Sequence, residues 1–338
     1  MRTYSVSRLY SYTLIFLISL ILLSNPLFAG ASKVAADGSF VQTWFCATWT
    51  DARWQEEFTA MKNSGMHYLI LQTIVDCAEG EKSSTLYPSS LPNTQLAYYV
   101  NGEDMVDKCL RNAEAAGIKV FIGLSSNSLW WGSHGADTTW LYNQMAFDNQ
   151  VCDEVWSLYK NKYPDTFYGW YWAYEVDNGS WASEAAQNEL IHAMNIQLDY
   201  LNSKGEKLPF MWCPFMNVEY GTAEQYKDLW TNVFSQLHTT AGDIFSPQDL
   251  VGKGGYTFTD MDEWFKALRE AVDTKPGLLL WPDVETFNFD GTSATIDRVV
   301  EQMKVEQPYS DNYVTFAFCH YDSPNNIDSG FITLISII

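Results

Sequence analysis

Histidine is scarce, with five residues in a chain of 338, and the six cysteines (46, 77, 109, 152, 213 and 319) include no Cys-x-x-Cys pair. That poverty of clustered nitrogen and sulfur ligands argues against a zinc site and against a metal-dependent enzyme, since His320 is the one histidine that falls at the end of a predicted strand. Basic residues are also few: 20 Lys and Arg stand against 41 Asp and Glu, giving a formal charge of −21 and a pI near 4.4. Such a field repels phosphate backbones and anionic membrane surfaces, which excludes nucleic acid and lipid as natural partners and leaves a neutral one. No Gly-x-Gly-x-x-Gly occurs, so the dinucleotide-binding doubly wound sheet lacks its phosphate turn and no cofactor is expected. No Ser-, Pro- or Gly-rich linker, repeat or low-complexity stretch divides the chain, so residues 32–338 read as one domain and a monomer is expected.

At the N-terminus, Arg2 and Arg8 precede an apolar run from Leu14 to Leu23, broken by Asn25 and Pro26 and followed by Ala29 and Ala31. This is the pattern of a cleaved export signal over residues 1–31, with the mature chain starting at Ser32 and secreted. The run falls short of the roughly 20 apolar residues that span a bilayer, so no membrane association is expected once it is removed.

What the chain has in plenty is short β-branched and aromatic runs. Eight of them, at 39–45, 67–74, 119–124, 167–174, 209–213, 243–246, 278–281 and 313–318, alternate with helix-like segments at 52–64, 103–116, 138–162, 183–203, 223–240, 259–273 and 293–306. Leu190, Met194, Leu198 and Leu201 mark one helical face, Gly65, Gly117, Gly205 and Gly242 follow helices as C-caps, and Pro164, Pro209 and Pro276 stop them. Strict alternation implies right-handed crossovers and a parallel sheet, and eight repeats imply closure into a (β/α)8 barrel whose last helix is short or missing. The apolar tail 331–338 is expected to pack against the barrel bottom. Cys46 and Cys77 lie just beyond consecutive strands and are the one pair placed to bridge; otherwise all six thiols are free.

Barrel chemistry sits where strands end, and here those ends carry carboxylates and aromatic rings. Strand four runs into Glu175, strand seven into Asp283 and Glu285, strand six into Gln248 and Asp249. Strand two carries Gln72 and leads to Asp76, and strand eight leads to Tyr321. Cleavage of a glycosidic bond needs a proton donor and a second carboxylate, which Glu175 and Glu285 could supply from opposed strand ends. A pyranose shows an apolar face to aromatic rings and hydroxyls to polar groups, so Trp44, Trp49, Trp130, Trp131 and Trp181, with Gln72, Tyr174, Asn178, Gln248, Asp249, Asp283 and Tyr321, are the candidate substrate contacts. Trp170 and Trp264 read as core, and Asp51 and Asp260 as helix-capping groups.

Glutamates ending strands four and seven resemble the clan of retaining glycoside hydrolases that carries its acid/base and its nucleophile there. The clan has Asn before the strand-four Glu, and this chain has Tyr174. The segments 38–42, 68–72, 171–175 and 246–249 (GSFVQ, YLILQ, YWAYE and SPQD) are similar to the domain-of-unknown-function family 4434 of glycosidase-like barrels, over about residues 38 to 324. The resemblance implies the barrel and an oligo- or polysaccharide ligand, either as substrate of a retaining glycoside hydrolase or as ligand of a non-catalytic glycan-binding barrel.

Overall fold

The computed structural model describes residues 34–133 and 138–326. The export-signal segment 1–31 and the tail 331–338 lie outside them. Every barrel strand is parallel to its neighbours. In chain order they are Gly38–Val41, Tyr68–Leu71, Lys119–Gly123, Phe167–Trp172, Phe210–Trp212, Ile244–Phe245, a seventh in two pieces (Leu279–Leu280 and Asp283–Glu285) and Val314–Phe316. Each falls within or beside one of the eight runs read from the sequence.

The seventh strand is split because Pro282 has no N–H to give the ladder. Leu279–Leu280 pairs with strand six and Asp283–Glu285 with strand eight. Flanking amides carry the pairing across the break: Trp281 N donates to Phe245 O and Asp283 N to Pro247 O, both at 2.9 Å. Strand one pairs with strand eight, Ser39 opposite Thr315, so the ring closes into the (β/α)8 barrel.

Among the described residues, seven helices of eleven or more residues wrap the strands: α1 (Asp51–Asn63), α2 (Met105–Ala116), α3 (Thr138–Val155), α4 (Glu184–Asn202), α5 (Ala223–Gln236), α6 (Phe258–Asp273) and α7 (Ile296–Glu306). Thr50, Asp104, Ser183, Thr222, Thr257 and Thr295 start six of them, each side-chain oxygen accepting a backbone N–H of the first turn. Asp260 completes a capping box with Thr257 as a capping group should, and Asp51 lies in the first turn of α1, paired with Arg111. Among the described residues, strand eight is followed only by a single helical turn, Phe318–Asp322.

Alternation along the strands sorts side chains into two layers. Phe40, Ile70, Phe121, Tyr171, Met211, Ile244, Trp281 and Val314 fill the barrel axis. Leu69, Val120, Trp170, Trp172, Trp212, Phe245 and Leu280 face the helices in a larger outer core that also holds Trp264. Each fully buried large side chain contributes about 1.5–3 kcal/mol, so the aromatic content goes mostly into this double core.

Two insertions cover the top. Val75–Cys77, Ser83–Thr85, Thr94–Leu96 and Ser125–Asn127 form a second, four-stranded sheet built from the loops after strands two and three. The Cys46–Cys77 bridge is not formed: all six cysteines are free and buried. Cys46 Sγ turns to Thr43 O (3.7 Å), while Cys77 Sγ faces Ser83 Oγ (3.3 Å), and burial raises both thiol pKa values so that neither is a ready thiolate.

Candidate active site

The inward register continues past the strand ends and decides which residues meet at the mouth. Two residues beyond Phe40 comes Gln42, and two beyond Ile70 comes Gln72. From Tyr171 the same parity leads through Ala173 to Glu175, from Ile244 through Ser246 to Gln248, and from Trp281 through Asp283 to Glu285. These residues, with Phe316, form the floor of one cleft of ≈ 810 Å³, and Phe215, Lys253, Phe287 and Phe289 are among those that wall it. Its size is that of a site for a small molecule or a few sugar rings.

Glu175 and Glu285 therefore open into the same space from opposed strands. Glu175 receives the Gln248 amide, and its main-chain carbonyl accepts Trp130 Nε1 at 3.1 Å. Burial raises its carboxyl to a pKa of about 7, the Gln248 bond opposing the shift. Glu285 is more deeply enclosed. Lys253 N donates to its Oε2 at 2.6 Å, and the loop can come that close because residue 252 is glycine: a Cβ there would sit 2.9 Å from Oε2 and 2.4 Å from Phe287 O.

In and behind the floor lies a set of further carboxyls. Asp249 Oδ2 accepts Gln302 Nε2 at 2.5 Å, and the same nitrogen reaches Glu285 O at 3.1 Å. Asp283 takes Cys213 Sγ at 3.4 Å on one oxygen, while its other oxygen and both oxygens of Glu306 have no hydrogen-bond partner among the described residues. Burial first and the Asp249 charge second raise Glu285, against the opposing pull of the Lys253 amide and the Arg298 guanidinium. Burial likewise pushes Asp283 and Glu306 well above the carboxylate range. Burial raises both Asp249 and Glu285, and the Asp249 charge raises Glu285 further, so Asp249 ionises first and the Glu285 anion forms as the pH climbs past it.

Several candidate contacts lie elsewhere, for a reason of parity or packing. Tyr174 and Asp249 have the outward register: Tyr174 is buried against Trp130 and Trp172 with its hydroxyl 3.0 Å from Ser125 Oγ, and Asp249 supports the floor from beneath. Trp130 and Trp181 are buried and stacked on one another at 5.6 Å, and Trp49 packs on Trp54 at 4.8 Å. Asn178 ties two loops together, donating to Asn217 O (2.9 Å) and accepting from Asn217 N (2.8 Å). Tyr321 stands half-buried beside Phe287, with ring centroids 5.5 Å apart. Gln72, Trp131, Gln248, Asp283 and the two glutamates line the cleft as expected, and Trp44 lines a smaller chamber beside it.

The sequence profile of the family described as Domain of unknown function (DUF4434) matches residues 36–328. The chain belongs to that family. Solved structures share the fold of this DUF4434 barrel. One, from Bacteroides thetaiotaomicron and provisionally named an alpha-L-fucosidase, is 22% identical over 88% of this chain and 89% of its own, with a TM-score of 0.69. A beta-galactosidase from Marinomonas ef1 is 10% identical, covering 83% of this chain and 54% of that one, at a TM-score of 0.52. A beta-glucosidase from Thermotoga maritima in complex with a substituted glucoimidazole is 9% identical over 85% and 89%, at 0.50. None of the curated proteins matches the chain. At these identities the likeness concerns the backbone.

Residues missed by the sequence reading are Gln42, Gly252, Lys253, Arg298, Gln302 and Glu306. Gln42 could have been found by counting two on from Phe40. The glycines flanking Lys253 were a visible signal of close backbone approach. Arg298, Gln302 and Glu306 recur every fourth residue on α7 and so share one face, a polar stripe turned toward Glu285 and Asp249.

Proposed function

We propose that the protein is a retaining glycoside hydrolase acting on a neutral glycan, with Glu285 as nucleophile and Glu175 as acid/base. The observation that supports this reading is the shared cleft, which Glu175 from strand four and Glu285 from strand seven both line, each held by an amide donor.

In the first step Glu285, as the anion held by the Lys253 amide, attacks the anomeric carbon. The bond to the leaving oxygen breaks, and that oxygen takes the proton of Glu175, whose pKa, raised to about 7, leaves about half of it protonated at neutral pH. In the second, Glu175 as carboxylate deprotonates a water that attacks the same carbon and frees Glu285, so both electrons and protons return to the starting state. The reaction as written uses protein groups alone.

The reading as a non-catalytic glycan-binding barrel keeps the aromatic rim but has no use for buried carboxyls that cost stability at neutral pH. Assay of the purified protein against aryl glycosides and oligosaccharides decides between them: turnover supports the hydrolase, and binding without turnover supports the lectin-like reading. We also read the protein as exported on Arg2, Arg8, the apolar run and the Ala29–Ala31 site. N-terminal sequencing of exported material should begin at Ser32, and retention of residues 1–31 would contradict this.

A further inference from the structure

A second, smaller chamber of ≈ 250 Å³ adjoins the main cleft and shares three of its walls, Gln72, Trp131 and Glu175. Glu285 lies in the larger chamber and not among the walls of the smaller one. The smaller chamber is lined by Trp44, Thr73, Asp76 and Tyr99. Trp44 is 66% exposed although it is a tryptophan, and its ring meets edge-on the stacked pair Phe45 and His320, each centroid at 5.8 Å from it. Asp76 lines the same chamber and is exposed, accepting Ser126 Oγ at 3.1 Å and keeping lone pairs for another donor.

We infer that the smaller chamber is a second sugar subsite, so that the substrate is an oligosaccharide of at least two rings, one over Glu285 and the next stacked on Trp44 with its hydroxyls donating to Asp76. The inference rests on the glycosidase reading of the cleft. An exposed indole braced by two aromatic neighbours presents a flat apolar face at little ordering cost, and a carboxylate lining the same chamber accepts from the hydroxyl edge of a pyranose. The two chambers meet at Glu175, which places the reacting bond or the one next to it across their boundary.

The test uses 4-nitrophenyl glycosides of single sugars and of the matching disaccharides, with kcat/KM measured for wild type, Trp44→Ala and Trp44→Phe. Lengthening the glycone, or replacing the nitrophenol by a sugar, should raise wild-type kcat/KM by about tenfold or more, the value of burying one ring face. In Trp44→Ala the ratio of long to short substrate should fall toward one, and Trp44→Phe should recover part of it. Far-ultraviolet circular dichroism should be unchanged, because Trp44 is largely outside the core. A wild-type ratio near one, or a Trp44→Ala loss that is equal for short and long substrates, would overturn the second subsite while leaving the hydrolase intact. Absence of turnover on every substrate, with the protein folded, would instead overturn the hydrolase and the subsite that rests on it.

Discussion

Glu285→Gln is expected to lower kcat by about 10⁴-fold or more while changing sugar affinity by only a few-fold, because the amide keeps the shape of the carboxyl but cannot form the glycosyl bond. The amide oxygen can still accept the Lys253 N–H now found at 2.6 Å, so the loop around Gly252 should keep its place. Stability separates this from simple damage. The folded pKa of Glu285 is raised by burial and by Asp249, so the unfolded chain gives up this proton first as pH rises. Its contribution to stability is therefore full below the unfolded value and is lost as pH climbs through the folded one. Gln carries no such penalty, and the variant should melt no lower than wild type at pH 8. Activity within tenfold of wild type would remove Glu285 from the mechanism.

Glu175→Gln should show a different signature, set by the leaving group. A sugar leaving group needs a proton, so hydrolysis of oligosaccharides should fall by about 10²–10⁴-fold, whereas a 2,4-dinitrophenyl glycoside, whose leaving group departs unassisted, should lose far less in its first step. The pH profile gives a second readout. Burial puts the Glu175 carboxyl at about 7, and its protonated form is the one required, so wild-type kcat/KM should decline above that pH. With the dinitrophenyl substrate the variant should lack this alkaline decline. Equal losses on both substrates, or an unchanged alkaline limb, would show that Glu175 is not the acid.

The fold was legible because it is written in periodicity. Eight apolar runs and seven helical segments appear within a few residues of where the structure has them, and threonine, serine and aspartate caps mark the helix starts. Half of the site was legible for the same reason: Glu175, Asp283 and Glu285 end strands whose inward register can be counted from Tyr171 and Trp281. The structure places several strand-end aromatics away from the cleft: Tyr174 has the outward parity, and Trp49, Trp130 and Trp181 follow their strands but are buried, Trp49 against Trp54 and Trp130 against Trp181, where burial of a large ring outweighs exposure to solvent. Contacts such as Gln302 with Asp249, or Lys253 N with Glu285, join residues 53 and 32 positions apart through loop geometry that no local pattern encodes. The Cys46–Cys77 pairing failed likewise, since proximity of strand ends does not fix where two thiols point.

The geometry of two carboxyls across one cleft bears most directly on stereochemistry. A pair about 5–5.5 Å apart works through a covalent glycosyl-enzyme and returns the original anomeric configuration, while a pair about 6.5–9.5 Å apart admits a water and inverts it. Following the first product of hydrolysis by proton NMR, before mutarotation equilibrates the anomers, distinguishes the two. Retention is the expected result for attack by Glu285 with proton transfer by Glu175; an inverted first product would contradict the nucleophile assignment.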